Sequence, residues 1–570
     1  MRRFGLAALL VATVISVACS SKSDGHLSQA HDPAPPTGTL GPPTFTLFAL
    51  AEVRGQIGPC GCTSDPLGDI ARTARLVAAA RAAGPTLVVD AGSLLYSKAQ
   101  ISSASDAQEE LKADLLVKTW QEELGVAALG LGPMDLSKGP GKVRPARQAV
   151  NVSGAGVPLE APKLVELGGA KVGVFGVVQA DALPVIEGLV VGDPVAAGKR
   201  AVSDLRAKGA QVIVGLVQAT SRKDAAKLVR DIGGIDLAVA GLGKQTPEPE
   251  FIDPEAQAIG AGWLVVPADR GQVVSRFEVT LRSPAGPLID AVGPTLATSK
   301  LASFDRQLTQ LDTELKRFLA DPTADPSFVA QKQRERAAVA AQRSQLVAHP
   351  MLVPATGPYF TFAQVRIAKG LACSPDVQSR VFGYFKAAGE ANVNAAAGIA
   401  VATPAKGQAH YVGDDACEDC HSDAVDFWKA TRHSHAWETL EERGQQFDLD
   451  CIGCHVTGWQ QPGGSNLAFN DGLRDVQCET CHGPASIHLA KNGEDKPTTM
   501  ARTVPKTLCA GCHTVEHSDT FQYEAYLRDV TGKGHGEDLR KQLGEGPTGG
   551  TLRKAALDRA GRTLGAGCTK

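Results

Sequence analysis

The sequence predicts a multidomain protein: an α/β layered domain, then a helical hairpin, then a mostly α-helical and irregular domain dense in cysteine and histidine. Three observations carry this reading. Across residues 44–293, short apolar runs alternate with amphipathic stretches, the pattern of layered strands and helices. Beyond them, apolar residues recur at spacings of three and four, as on one face of a helix. After Tyr411 long apolar runs disappear, and eight of the thirteen cysteines crowd between Cys417 and Cys512. A chain of 570 residues is long enough for two or three such parts.

The elements follow in chain order. Arg2 and Arg3 precede an apolar run at 6–17, too short to span a bilayer as a stable helix. It ends in Val17-Ala18-Cys19-Ser20, which resembles a bacterial lipoprotein signal, and cleavage there would leave Cys19 as a lipid-modified N-terminus. An ordinary secretory signal with an incidental cysteine is the alternative. Residues 20–43 are Ser, Gly, Pro and polar, a composition that reads as a tether. The expected location is therefore exported and lipid-anchored to a bacterial membrane, on its periplasmic or outer-membrane side. A net charge of −3, with both signs mixed along the chain, gives no stripe for nucleic acid.

Within 44–293, segments 46–51, 86–90, 172–178, 212–217, 236–240 and 263–267 read as buried strands. Segments 67–83, 107–124, 195–208 and 222–232 read as helices, with Asp193-Pro194 and Ser221 as starts. Residues 294–349 form the hairpin: Leu301, Phe304, Leu308, Leu311, Leu315 and Phe318 make an apolar stripe, Asp321-Pro322 and Asp325-Pro326 break it, and a weaker helical pattern follows at 328–347. Residues 350–409 read as a small connecting region with a strand at 359–367 and a helix opened by Ser374-Pro375-Asp376. A last domain at 410–537 and a tail at 538–570 complete the chain.

The last domain has too little aliphatic content for a conventional core and needs something else inside. Four pentapeptides supply the answer: Cys417-Glu418-Asp419-Cys420-His421, Cys451-Ile452-Gly453-Cys454-His455, Cys478-Glu479-Thr480-Cys481-His482 and Cys509-Ala510-Gly511-Cys512-His513. Two cysteines three apart can each form a thioether to one vinyl group of a haem, and the adjoining histidine supplies a nitrogen to iron. Zinc domains and disulfide frameworks give no reason for that histidine. Four covalently bound haem c groups are expected. His410, His433, His435, His488, His517 and His535 are available for the second iron faces. His433, His488, His517 and His535 are the preferred distal ligands, with His435 and His410 in reserve. His26, His31 and His349 receive no role.

The segment Trp428-Lys429-Ala430-Thr431-Arg432-His433-Ser434-His435-Ala436, the run from Cys451 to Trp459 and Cys478-Glu479-Thr480-Cys481-His482-Gly483-Pro484 resemble the small tetrahaem cytochromes that accept electrons from hydroxylamine oxidoreductase. The resemblance covers about 411–536. It implies His433 as a distal ligand and places His488 and His517 where relatives carry others. It also implies that the iron held by His455 lacks a strong sixth ligand. The residues after that motif, Val456 to Gly464, contain no histidine to reach back over its own haem. His435 is a departure from the small cytochromes.

The α/β domain is similar to calcineurin-like metallophosphoesterases of the periplasmic 5′-nucleotidase type. That resemblance implies a two-metal site at strand ends, and here the ligand motifs are replaced. The Asp-x-His-Gly position reads Glu52-Val53-Arg54-Gly55, and the Gly-Asp position reads Gly92-Ser93. Gly-Asn-His-Glu reads Gly130-Leu131-Gly132-Pro133, Gly-His-x-His reads Gly241-Leu242-Gly243-Lys244, and a further ligand histidine is matched by Gln218. No phosphoesterase activity is expected from such a set. Cys60 and Cys62 lie in a glycine-rich loop where the site would open. They read either as a redox or metal-binding thiol pair, with Cys373 or Cys568, or as part of a structural disulfide.

These readings converge on an electron carrier of a respiratory chain that works with redox protein partners. The alternative is a haem enzyme acting on a small nitrogen or sulfur compound at a five-coordinate iron. A phosphoesterase with an attached cytochrome is the third and weakest.

Overall fold

The computed structural model describes residues 40–59, 64, 66–243, 252–292, 294–320, 326–348, 353–493, 499–514 and 517–560. Cys19, the tether up to residue 39, Cys60, Cys62, Lys244 and Cys568 lie outside the described residues.

Two six-stranded sheets pack face to face. The first runs Ile289–Asp290, Tyr359–Arg366, Val273–Thr280, β1 (Phe45–Leu50), β2 (Thr86–Asp90) and β3 (Ala128–Leu129). The second runs Gln257–Ile259, Gly262–Val265, Leu237–Gly241, Val212–Gln218, Ala170–Val178 and Lys163–Leu167. Strict alternation on β1 explains its place. Phe45, Leu47 and Ala49 point into the inter-sheet core with Val172, Val174, Val214 and Leu237. Phe48 and Leu50 point outward under helices α1 (Ile70–Ala83) and α2 (Asp106–Lys118). Helices α3 (Pro194–Ala207) and α4 (Arg222–Ile232) cover the other sheet through Leu205, Leu228, Val229 and Ile232. The result is a four-layer αββα sandwich.

The caps follow simple chemistry. Asp193 and Ser221 accept backbone N–H bonds at the starts of α3 and α4, as their types predict. Helix α1 starts three residues later than the sequence pattern suggested. Gly68 N–H is taken by Ile367 O, and Asp69 caps the helix by accepting from Ala71 and Arg72. Helix α2 stops at Lys118, where a π-turn (Thr119–Glu123) carries the chain on to seat Trp120.

The region read as a connector is built into the α/β domain. Strand Tyr359–Arg366 pairs antiparallel with Val273–Thr280 along its whole length. Between them the chain makes the hairpin α5 (Pro294–Ala320) and α6 (Pro326–Ala348), closed by Phe304, Leu346 and Val339 and laced by Arg343–Asp305 and Lys332–Glu314 ion pairs. Helix α7 (Pro375–Ala396) places Val377, Val381 and Tyr384 in the same core as α1 and α2. Cys373, just before it, is disulfide-bonded. No described helix is long and apolar enough to cross a membrane.

The last part is a set of short helices and turns. Its hydrophobic core is small: Trp437, Ile452 and Val456, with Phe447, Trp459 and Leu467 packed against them. The stretch read as a tail forms two helices, Glu537–Leu543 and Gly549–Ala560, and Arg528 ties down the link between them through the carbonyls of Leu543, Gly544 and Pro547.

Candidate functional site

Each motif uses one turn of helix or 3-10 helix to put its two cysteines on one side. The first lies on helix α8 (Asp415–Lys429), whose regular backbone breaks at His421, with φ −129° and ψ 38°. The third is helix Cys478–His482, and the fourth ends helix Lys506–Cys512. The second wraps the 3-10 turn Ile452–Cys454. Gly483 ends the third turn at φ 92°, where a side chain would collide with Thr499 O, so the glycine is required by space as well as by conformation.

The imidazoles are oriented by their neighbours. His455 Nδ1 lies 2.6 Å from Ala436 O, and His482 Nδ1 lies 2.7 Å from Ala501 O. His535 Nδ1 lies 2.7 Å from Val530 O, and His513 Nδ1 lies 3.1 Å from Ser518 Oγ. An Nδ1–H donated to a carbonyl leaves the Nε2 lone pair free for a metal, which is the usual device for holding a metal-binding histidine.

Three motif histidines face a histidine from outside the motifs. His421 faces His488 with ring centres 6.3 Å apart, His513 faces His433 at 6.2 Å, and His482 faces His535 at 5.9 Å. Two metal–nitrogen bonds of about 2 Å, with the ring radii on either side, place the centres of two axial imidazoles roughly 6 Å apart. The residues fit haem iron between each pair. Burial, reinforced by His513 opposite, pushes His433 down to about 4, so the ring is neutral, as a ligand must be. Among the described residues no second histidine ring faces His455 in this way. Burial also lowers its pKa, with Arg443 and His517 nearby contributing against the Ala436 hydrogen bond and Asp475.

The remaining candidates form none of these pairs. His517 is exposed and in none of the ring pairs. His435 is exposed and its Nδ1 lies 3.5 Å from Glu438. His410 is exposed, and its backbone N–H donates to Ser486 Oγ.

The motifs also touch one another. The side chains of Cys417 and Cys478 lie close together, as do those of Cys454 and Cys512, and Cys481 lies near Cys509. First and third motifs are therefore neighbours, as are second and fourth, with third and fourth joining the two pairs. Glu479 went unnoticed in the sequence because it is one of two intervening residues in its motif. It is buried, and its carboxylate accepts from the N–H groups of Val412, Gly413 and Ala485, binding the lead into the first motif to the third.

At the strand ends of the α/β domain the replaced positions bond to one another. Arg54 Nε donates to Glu52 Oε2 at 2.9 Å, Gln218 Nε2 donates to Glu52 Oε1 at 2.6 Å, and Arg54 Nη2 donates to Gly243 O. Burial raises the pKa of Glu52, against the pull of Arg54 and Gln218. Asp90, bonded to Gly92 N–H and Trp120 Nε1, is pushed up to about 7 by burial. Among the described residues no group of three or more His, Cys, Asp or Glu could hold a metal ion.

The family model described as cytochrome c554 and c-prime matches residues 416–483. A curated cytochrome c-554 from Nitrosomonas europaea is 36% identical over 136 residues, covering 18% of this chain and 58% of that protein. The chain thus spans less than two thirds of this relative. Solved structures similar to the N-terminal part include a 5′-nucleotidase precursor from Thermus thermophilus, at 23% identity and TM-score 0.36, covering 43% of this chain and 52% of that one. The calcineurin-like phosphoesterase YfkN from Bacillus subtilis, at 18% identity and TM-score 0.33, covers 43% and 86%. The helical C-terminal part thus matches a cytochrome c family.

Proposed function

We propose that the chain is an exported, lipid-anchored cytochrome that holds four covalently bound haem c groups and carries electrons between redox proteins of a respiratory chain. The observation that carries the reading is the set of three histidine pairs, each joining a motif histidine to an outside one at 5.9–6.3 Å. The eight cysteines Cys417, Cys420, Cys451, Cys454, Cys478, Cys481, Cys509 and Cys512 would carry the thioethers. His421 and His488, His482 and His535, and His513 and His433 would ligate three irons, and His455 the fourth from one side. His435, His410 and His517 drop out of this set. Bound haems supply one-electron couples. The chain spaces and orders them, and the proximity of Cys417 to Cys478, Cys481 to Cys509 and Cys512 to Cys454 supports the order first, third, fourth, second. Anchoring at Cys19 would keep the domain at a membrane surface.

A second reading has support at one place. His455 is held from behind by Ala436 O and is faced by no ring among the described residues, so the second motif could serve an iron that binds a small molecule. The α/β domain would act as a docking or sensing module in either case.

Mass spectrometry and low-temperature EPR test both readings. The matured chain should gain the mass of four haems, with three low-spin irons and one high-spin iron. A mass of fewer than four would remove the assignment for at least one motif. Four low-spin irons that ignore cyanide and nitric oxide would remove the open site and leave a pure carrier.

A further inference from the structure

The segment Phe447-Asp448-Leu449-Asp450 leads directly into Cys451 of the second motif, and the α/β domain grips it. Gln108 on α2 is fully buried: its Nε2 donates to Asp448 Oδ1 at 2.8 Å, and its Oε1 accepts from Leu449 N–H at 3.0 Å. Asn392 on α7 donates to that same Oε1 at 2.7 Å and to Phe447 O at 2.9 Å. Lys112, 6% exposed, donates to Asp450 Oδ2 at 2.9 Å and to Glu109 Oε1 at 2.9 Å. Asp448 O then accepts from Cys451 and Ile452, so the grip passes straight into the motif turn. An exposed linker between independent domains would not bury a lysine and two amides. The polar groups so enclosed fix a single arrangement, because each loses a partner if the segment moves.

We infer that Gln108 and Lys112 are positioning residues for the second haem, so that the α/β domain sets the placement and electrostatic surroundings of the site whose motif histidine is His455. The inference rests on the proposed reading of that motif as a haem site. Burial works against the charge of Lys112, but Tyr384, Asp450, Glu109 and Asp448 more than offset it and keep the lysine well above its ordinary range. A fixed positive charge beside the motif favours the reduced state of a group bound there, and a negative charge at Asp450 opposes it.

The test is potentiometry on the full-length, haem-loaded protein. Lys112→Met should move one of four potentials downward and leave three in place. Asp450→Asn should move the same one upward, and Lys112→Arg should stay close to the parent. Opposite shifts from the two ends of one ion pair would not come from general loosening. If Lys112→Met fails to mature, Asp450→Asn and Gln108→Leu decide, the latter through altered cyanide binding at one haem. Unchanged potentials, or a shift shared by all four, overturn the inference. The mass of four haems and the three low-spin signals are read on the same samples, so failure of the haem reading shows separately.

Discussion

At the residue scale, the sequence offered the motif histidines and the three outside rings that face them as candidates, but not which ring meets which. A C-x-x-C-H pentapeptide is local, so its chemistry can be read from five letters. A facing histidine arrives from another helix, and nothing in the residues around His488, His433 or His535 names the ring it meets. Sequence therefore kept His517 among the preferred ligands and His435 in reserve, and geometry sets both apart from the three paired rings. Replacing His488, His433 or His535 with alanine should each add one haem that binds carbon monoxide or cyanide. The same change at His517 or His435 should add none, and optical titration counts the binding haems. A pH effect belongs at this scale too. Asp90 is raised from 3.8 to about 7 by burial, so the folded state binds a proton that the unfolded chain has released. Its contribution is fully present below about pH 4 and is lost as pH rises through about 7, on the order of 4 kcal/mol. Urea unfolding of the α/β domain should weaken from pH 5 to pH 8, and Asp90→Asn should flatten that slope. A slope unchanged in the variant would assign it to other groups, Glu52 first.

At the scale of elements, the strands and helices with strong periods were readable: 46–51 matches β1, 86–90 matches β2, and the caps Asp193 and Ser221 stand where their chemistry put them. Long-range pairing was not readable. Strand Tyr359–Arg366 and α7 were recognisable as elements, but only the fold shows that they complete the first sheet and its outer layer. A domain boundary at residue 293 would therefore strip Val273–Thr280 of one partner strand and uncover Phe48, Leu50 and Trp120. A fragment ending at 293 should aggregate or unfold, whereas one ending near residue 400 should give a cooperative transition. The hairpin α5–α6 is an insertion between two adjacent strands and packs chiefly on itself through Phe304 and Leu346. Replacing residues 294–352 with a short glycine-rich turn should shift the melting temperature of that domain by only a few degrees. Collapse of the fold would show that the hairpin is part of the core.

For the whole molecule, the two halves are held together by different means. The α/β part buries continuous aliphatic surface on both faces of both sheets, from Leu47 and Val214 between them to Val77 and Ile232 outside. That is enough for independent stability, and at the strand ends Glu52 accepts from Arg54 and Gln218. Full-length protein given Mn²⁺ or Zn²⁺ should release no phosphate from nucleotides above buffer. The C-terminal part offers Trp437, Ile452, Val456 and a few neighbours for its core, and hydrophobic burial on that scale cannot offset chain entropy. Haem would be its missing core. Chain produced in a compartment that does not attach c-type haem should keep the far-UV signature and cooperative melt of the α/β part. Its C-terminal part should be cut by low protease concentrations after about residue 400, while the haem-loaded chain resists. Equal resistance of both forms would mean that the short helices pack without the cofactor. In that case the three histidine pairs would be a consequence of the fold and not what holds it together.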